Sequence, residues 1–145
     1  MKQLIRVDTH DDVLNLLYEF DEVFPHLKEK VADYDAYALK LKENAFVYKA
    51  MIDGKVFGIL VFYANDFHRK KAYVSLIGVK KEYRSMGLGR YLMDSCIMMS
   101  KKNGMTKLFL EVDFDNKNAM EFYKKAGFMK DANASKSSIY MKKEL

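Results

Sequence analysis

A short glycine-containing loop between two apolar segments constrains this chain more than any other feature. Residues 79–90 have the sequence V-K-K-E-Y-R-S-M-G-L-G-R, an Arg-x-x-Gly-x-Gly loop. The preceding run, Ala72 to Val79, is short and rich in β-branched and aromatic residues, which predicts a buried strand. Apolar residues then recur at helical spacing from Leu88. The N–H groups and the dipole of a helix start favour a phosphate, so the loop predicts a pyrophosphate site.

The glycine spacing narrows the choice of ligand. Arg90-Tyr91-Leu92 follows Gly87-Leu88-Gly89, so the third glycine of a dinucleotide-binding G-x-G-x-x-G is missing. No Gly-Lys-Ser/Thr follows either, as a P-loop requires. The structural alternative is a tight turn whose glycines only permit positive φ before a helix.

A second motif lies downstream and supports the ligand-binding interpretation. It comprises Leu110-Glu111-Val112, Asn116, Ala119, Phe122-Tyr123 and Gly127-Phe128. From about Phe46 to Phe128, the two motifs together resemble the GCN5-related N-acetyltransferase (GNAT) superfamily. The resemblance implies that the first motif holds the pyrophosphate of acetyl-coenzyme A. It also implies an asparagine near the pantetheine arm and a tyrosine near the thioester sulfur.

The periodicity along the chain predicts an α+β fold, and its length predicts a single domain over residues 1–145. The resemblance adds the order β-α-α-β-β-β-α-β-α-β-β and a three-layer GNAT acyltransferase fold. In that fold a mixed central sheet, flanked by helices, is splayed between its two central strands. The predicted strands are Leu4–Asp8, Phe46–Ile52, Lys55–Ala64, Ala72–Val79, Lys107–Asp113 and Ser138–Lys143. The first predicted helix begins after Thr9 or Asp11, and the second runs from Pro25 to about Glu43. Two further helices are predicted over Leu88–Asn103 and Asn118–Ala126.

The charge pattern disfavours a nucleic-acid partner. The net charge is +5, but lysines and arginines are scattered, and no helix carries a basic stripe with interleaved aromatics. The exception is the group Lys80, Lys81, Arg84 and Arg90, which brackets the loop and would attract the phosphates of coenzyme A.

Other features indicate a cytoplasmic protein without a metal centre. The charged opening and the lack of a run of ~20 apolar residues disfavour a signal peptide and a membrane span. The lone Cys96 excludes an internal disulfide and is expected as a buried structural thiol. Three scattered histidines offer no metal-ligand spacing, and an EF-hand-like start at Asp113 fails at Asn118 and Lys124.

Transfer of an acetyl group to an amine needs a base, an oxyanion donor and an acid for the departing thiolate. Glu111 lies five residues before Asn116, and Tyr123 lies seven residues after it. These offsets are similar to those of bacterial enzymes that acetylate ribosomal-protein N-termini, which implies Glu111 as proton acceptor and Tyr123 as proton donor. The polar loop 65–71 offers Asp66 and His68 as further candidate bases.

Each candidate also has a purely structural interpretation. Tyr123 shares a helix face with apolar residues and could be a core aromatic. Glu111 could be paired with a lysine, and Asn116 could cap a helix, which is compatible with a coenzyme contact.

The resemblance implies coenzyme contacts from the end of the central strand, the glycine loop and the second motif. These residues are Ile77, Gly78, Val79, Arg84, Ser85, Met86, Gly87, Leu88, Gly89, Arg90, Asn116 and Tyr123. Backbone groups left unpaired by the splay at residues 77–79 would bond the amide-rich arm of acetyl-coenzyme A as another strand would.

We therefore expect an acetyl-CoA-dependent N-acetyltransferase that works by direct attack in a ternary complex. The segment Met129 to Ser138 is shorter than in peptide-acetylating relatives and lacks their tyrosine, which favours a primary amine of a small molecule as acceptor. A ribosomal-protein or peptide N-terminal acetyltransferase and a non-catalytic acyl-CoA-binding module are the alternatives. Homodimers are common in families of this resemblance.

Overall fold

Seven strands form one mixed sheet in the computed structural model, which describes all residues from Met1 to Leu145. The strands are β1 (Lys2–Arg6), β2 (Phe46–Ile52), β3 (Lys55–Asp66), β4 (Lys71–Val79), β5 (Lys107–Asp113), β6 (Met129–Asn133) and β7 (Ser138–Glu144). The helices are α1 (His10–Glu19), α2 (Leu27–Lys30), α3 (Tyr34–Asn44), α4 (Leu88–Lys102) and α5 (Lys117–Lys125), with a 3-10 turn at Lys81–Tyr83. None of the helices combines the length and the apolar character that crossing a bilayer requires.

The sheet opens between its two central strands. Its order is β1-β2-β3-β4-β5-β7-β6, and only β4 and β5 run parallel. Pairing between β4 and β5 is confined to Lys71–Tyr73 against Lys107–Phe109, whereas β5 stays paired with β7 to Asp113. Beyond Tyr73 and Phe109 the strands diverge and leave a V-shaped cleft. The predicted splayed α+β sheet is confirmed.

Helices cover the sheet on both faces and create two hydrophobic cores. On one face α4 buries Leu88, Leu92 and Cys96 against strands β3, β4, β5 and β7. On the other face α1 and α3 pack onto β2 and β3 through side chains such as Leu17 and Leu41. Cys96 is fully buried, which agrees with a structural thiol.

A β-bulge at Ser75 changes which side chains of β4 face each core. Val74 pairs with Phe62 and Leu76 with Val61, so Ser75 is an extra residue in β4. Val74 therefore faces α4, whereas Leu76 faces α1 and α3. The β-branched and aromatic run Ala72–Val79 predicted the strand but not its bulge, because a bulge depends on register with the neighbouring strand.

The single helix predicted from Pro25 to about Glu43 is wrong. Two helices replace it, because the Asp33 side chain accepts a hydrogen bond from Ala36 N (3.1 Å) and starts α3 anew. Thr9, not Asp11, caps α1 by accepting from Asp12 N (3.2 Å). Strand β6 carries no apolar pattern, since all five of its residues are exposed, so only the resemblance indicated it.

Candidate active site

The glycine loop places the start of α4 at the end of β4. Gly87 is the residue before the helix and has φ 73°, while Ser85 adopts φ 68°. Gly87 has open space around a potential Cβ, so its backbone conformation, not crowding, requires glycine. No side chain caps α4. Its first N–H groups therefore have no side-chain partner, and the phosphate site at this helix start stays a prediction.

The four basic side chains around the loop differ in whether they already have a partner within the chain. Lys80 forms an ion pair with Glu19, and Arg90 contacts Asp94 (Nε to Oδ1, 3.2 Å). Arg84 donates from Nε to the Val79 carbonyl oxygen (3.2 Å), which folds its side chain back onto the strand end. Lys81 makes no ion pair and is exposed. Three of the four cationic side chains thus already have partners within the chain, whereas the first amides of α4 have no side-chain cap.

The three residues at the end of β4 have different orientations. Lys80 N donates to Phe57 O (2.8 Å), and the strand register pairs Gly78 with Ile59. Because the bonding direction alternates along a strand, Gly78 turns its backbone groups to β3, whereas Ile77 and Val79 turn theirs to the cleft. Gly78 is needed for another reason. A Cβ there would lie 2.7 Å from Val23 and 2.8 Å from Phe24, so glycine allows the α1–α2 connection to pack on β4.

Helix α5 brings Asn116 and Tyr123 to the α4 side of the cleft. Asn116 caps α5, since its Oδ1 accepts from Ala119 N (3.2 Å), and its amide N–H groups make no bond within the chain. Tyr123 packs edge-on against Phe122 and Phe128, with ring centroids 5.5 and 5.9 Å apart. Its hydroxyl makes no hydrogen bond within the chain, and burial raises the pKa of Tyr123 to about 12. The phenol therefore keeps its proton at neutral pH.

Glu111 lies on the opposite face of the sheet, just beyond the point where β4 and β5 separate. Its neighbours Leu110 and Val112 point into the α4 core, so Glu111 points the other way. Its Oε2 accepts a short hydrogen bond from Ser138 Oγ (2.6 Å), and it forms no ion pair with a lysine. Ser138 fixes one carboxylate oxygen, and the other makes no hydrogen bond within the chain.

Four tyrosines that the sequence did not single out lie on the same face of the sheet as this carboxylate, and we refer to them as the tyrosine cluster. Tyr140 pairs with Glu111 across β5 and β7, Tyr63 pairs with Tyr73 across β3 and β4, and the Tyr37 hydroxyl lies 3.2 Å from Ser75 Oγ. Burial raises the pKa of Tyr73 to about 12, with Glu111 and the other three tyrosines adding to the shift. The only sequence signal was the alternation of Tyr73 with the buried Ala72 and Val74.

The other two candidate bases lie at the far end of β4 from the loop. Asp66 accepts a hydrogen bond from Arg69 N (3.0 Å) and thereby shapes the turn between β3 and β4. His68 is exposed in that turn. No group of three or more His, Cys, Asp or Glu side chains is arranged to hold a metal ion.

The site thus combines a cleft between two strands, an uncapped helix start beside it and a half-buried tyrosine on the following helix. Residues 11–128 match the family model described as acetyltransferase (GNAT) family. The chain belongs to the GNAT family.

Curated relatives of this GNAT-family chain include an uncharacterised N-acetyltransferase and an N-alpha-acetyltransferase. It is 30% identical over 129 residues to an uncharacterised N-acetyltransferase of Methanocaldococcus jannaschii, covering 83% of this chain and 57% of the relative. It is 29% identical over 86 residues to N-alpha-acetyltransferase 30 of Schizosaccharomyces pombe, covering 57% of each. The chain thus spans little more than half the length of both relatives.

Solved structures share the fold of the enzyme over most of its length. The ribosomal-protein-S18-alanine N-acetyltransferase of Escherichia coli superposes with a TM-score of 0.78 at 22% identity, covering 99% of this chain and 94% of the other. A Bacillus anthracis acetyltransferase in complex with acetyl coenzyme A superposes with a TM-score of 0.62 at 28% identity, covering 70% and 63%.

Proposed function

We propose that the chain is an acetyl-CoA-dependent N-acetyltransferase that acetylates a primary amine of a small molecule, with acetyl-CoA as its cosubstrate. The observation that carries this proposal is the hairpin of β6 and β7, in which residues 134–137 form the whole connection and none is aromatic. A connection of this length does not extend over the Glu111 face, so it provides no surface along which an extended peptide could bind. The acceptor is instead bounded by the tyrosine cluster, which suits a compact ligand.

Glu111 and Tyr123 divide the proton transfers between the two faces of the sheet. Glu111 takes one proton from the ammonium of the acceptor. The free amine nitrogen then bonds to the thioester carbon, loses its second proton to solvent and becomes the amide nitrogen as the carbon–sulfur bond breaks. Tyr123 gives its hydroxyl proton to the departing sulfur and regains a proton from solvent. The support for this assignment is that the Tyr123 hydroxyl has no partner within the chain, and that Ser138 anchors Glu111 through one oxygen only.

We infer that the coenzyme contacts come from the backbone of Ile77 and Val79, the loop 84–90, and Asn116. The cleft-facing groups of β4 would bond the pantetheine amides, and the uncapped N–H groups of α4 would bond the pyrophosphate. Gly78 supports this arrangement indirectly, through the close packing of Phe24.

A peptide N-terminus is the second candidate acceptor. It is favoured by the similarity to N-alpha-acetyltransferase 30 and by the spacing of Glu111, Asn116 and Tyr123. A non-catalytic acyl-CoA-binding module is the third, but such a module would have no use for an anchored carboxylate and a buried phenol on either side of the cleft.

A thiol-release assay with acetyl-CoA separates the three candidates. The acceptors are a panel of small amines and a panel of unblocked peptides with different first residues, each compared with its N-acetylated form. We expect turnover with small amines at a kcat/KM at least tenfold above that of any peptide. Faster turnover of peptides would establish the second candidate. Stabilisation of the fold by acetyl-CoA without turnover of any acceptor would establish the third.

We also infer that the reaction takes place in the cytoplasm. The only cysteine is buried and unpaired, so the fold does not depend on an oxidising compartment. Light scattering of the purified protein measures its mass in solution and thereby tests whether it is a homodimer.

A further inference from the structure

Two serine hydroxyls and a backbone amide form a hydrogen-bonded chain that ends on Glu111. Glu111 Oε2 accepts from Ser138 Oγ (2.6 Å), and Ser138 Oγ lies 2.8 Å from Ser135 Oγ. Ser135 Oγ in turn accepts a hydrogen bond from Ser137 N (3.1 Å). The serine chain, as we call Ser135, Ser137 and Ser138, thus links the connection between β6 and β7 to the carboxylate on β5.

The chemistry of the two ends fixes the direction of every hydrogen bond in the serine chain. An ionised carboxylate only accepts, so the single proton of the Ser138 hydroxyl is directed at Glu111. Ser138 Oγ then accepts the proton of Ser135, and the Ser137 N–H, which only donates, is directed at the Ser135 oxygen. All three protons therefore point along the chain towards the carboxylate. Hydrogen bonds arranged in such a series polarise one another, which strengthens the last bond, the one to Glu111.

The backbone holds the serine chain in place. Ser138 begins β7 and is only 1% exposed, and its carbonyl oxygen accepts from Ala134 N (3.0 Å) and Ser135 N (3.2 Å). Phe114 N donates to Ser137 O (2.8 Å), which joins the connection to the residue that follows β5. Because Ser138 is almost fully buried, water does not compete for its hydroxyl. The short connection is therefore a fixed support for the carboxylate.

We propose that Ser138, oriented by Ser135, is a positioning residue that determines which oxygen of Glu111 takes the proton of the acceptor amine. This inference rests on the proposed function, in which Glu111 is the base. The Glu111 side chain is exposed, and the bond from Ser138 is its only hydrogen bond within the chain. Oε2 accepts from Ser138 before and after the proton transfer, because a protonated carboxyl group keeps one carbonyl oxygen as acceptor. The proton of the amine therefore goes to Oε1.

Ser138→Ala tests the positioning role. The assay uses acetyl-CoA and the acceptor with the fastest turnover from the amine and peptide panels, so its outcome does not depend on the class of acceptor. We expect kcat to fall by about tenfold with an unchanged KM for acetyl-CoA, because a misoriented base slows the chemical step and not coenzyme binding. A variant that is less stable but has wild-type kcat would show that Ser138 is only structural and would overturn the proposal.

A double-mutant cycle shows whether Ser138 acts through Glu111. Glu111→Gln removes the base, so the orientation of this side chain no longer matters to the reaction. Ser138→Ala should therefore lower kcat in the wild-type background and have no further effect in the Glu111→Gln background. Equal losses in both backgrounds would mean that Ser138 acts by another route, and the proposal would be wrong.

Ser135 provides a variant that does not disturb the core. Its side chain is exposed, so Ser135→Ala should fold, and we expect kcat to fall by about threefold because Ser138 loses the donor that orients it. Ser135→Thr keeps the hydroxyl and should restore kcat. The matched control is Ser100→Ala, which removes a buried hydroxyl of α4 that has no hydrogen-bond partner, and it should keep wild-type kcat. Equal kcat for the alanine and threonine variants of Ser135 would refute its part in the chain.

The same set of variants separates failure of this inference from failure of the proposed function. If Glu111→Gln has wild-type kcat, Glu111 is not the base, and the proposed proton transfer fails together with the role of Ser138. If Glu111→Gln is impaired at least tenfold but Ser138→Ala is not impaired, the proposed base stands and the inference fails alone. Faster turnover of peptides than of small amines would contradict the proposed acceptor and leave the positioning role of Ser138 supported wherever the predicted coupling to Glu111 is found.

Discussion

Replacing Tyr123 by phenylalanine removes the proposed acid and leaves the packing of the ring unchanged. The hydroxyl has no hydrogen-bond partner within the chain, so no intramolecular bond is lost. The edge-on contacts with Phe122 and Phe128 involve the ring alone. We therefore expect the free energy of unfolding to change by less than about 1 kcal/mol, because deletion of an unpaired buried hydroxyl is close to neutral.

The effect on catalysis should be much larger than the effect on stability. Loss of a general acid lowers kcat by roughly 10²-fold or more, which corresponds to about 2.7 kcal/mol of transition-state stabilisation. The affinity for acetyl-CoA should change little, because the hydroxyl acts on the leaving sulfur only in the reaction. Steady-state kinetics, calorimetric titration with coenzyme and urea unfolding measure the three quantities.

The pH dependence adds a second test of the same variant. Burial raises the pKa of Tyr123 to about 12, so the wild-type phenol stays protonated from pH 6 to about pH 10 and adds no titration limb there. A thiolate needs less protonation above its own pKa, near 8.5 for a thiol, so the deficit of the variant should shrink as pH rises.

Tyr48→Phe is the matched control for this variant. Tyr48 is a half-buried tyrosine of β2, a strand separated from the cleft by β3, and its hydroxyl also makes no bond within the chain. We expect wild-type kcat for this control. If the Tyr123→Phe variant has wild-type kcat at every pH, Tyr123 is not the acid, and its role is that of a core aromatic.

Three further perturbations test the loop, the packing on β4 and the buried phenols. Gly89→Glu should lower the affinity for acetyl-CoA at least tenfold by calorimetry. Gly89→Ala, whose Cβ would lie 3.5 Å from Phe122, should fold normally and serves as the control. Unchanged affinity in the glutamate variant would mean that the pyrophosphate binds at another place. Gly78→Ala should destabilise the fold by about 1–3 kcal/mol in denaturant titrations, because its Cβ would lie 2.7 Å from Val23, and a wild-type midpoint would contradict this packing. Burial raises the folded-state pKa of Tyr123 from 10.0 to about 12, so the contribution of this group to stability is full below about pH 10 and is lost as the pH rises to 12. Tyr123→Phe should therefore show a smaller fall in unfolding free energy between about pH 10 and pH 12 than the wild type. An identical fall in both proteins would contradict the assigned burial.

Local signals in the sequence were sufficient to predict the elements around the phosphate loop. The apolar run of β4, the left-handed Gly87 and the helical spacing from Leu88 each act over a few residues, and the structure has all three. The hairpin turn at Asp53-Gly54 is of the same kind, since both residues adopt positive φ.

Features that depend on distant partners could not be predicted in this way. The bulge at Ser75 arises from the register of β4 against β3, which no property of the β4 sequence displays. Similarly, Ser138 anchors Glu111 across 27 positions because β5 and β7 are neighbours. The tyrosine cluster combines residues of α3, β3, β4 and β7, so the acceptor side of the site becomes visible only in the folded chain.

The splay of the sheet explains why the proposed base and acid can act on one bond from opposite sides. In a closed sheet, β4 and β5 would bond along their whole length, and Glu111 would be separated from α5 by a continuous layer of backbone. Pairing instead ends at Tyr73 and Phe109, two residues before Glu111. In the proposed function, a thioester in the resulting gap would meet Glu111 from the tyrosine-cluster face and Tyr123 from the α5 face. The same interruption leaves the β4 edge unpaired, so in this proposal one local loss of strand pairing provides both the edge that binds the pantetheine arm and the path for the protons.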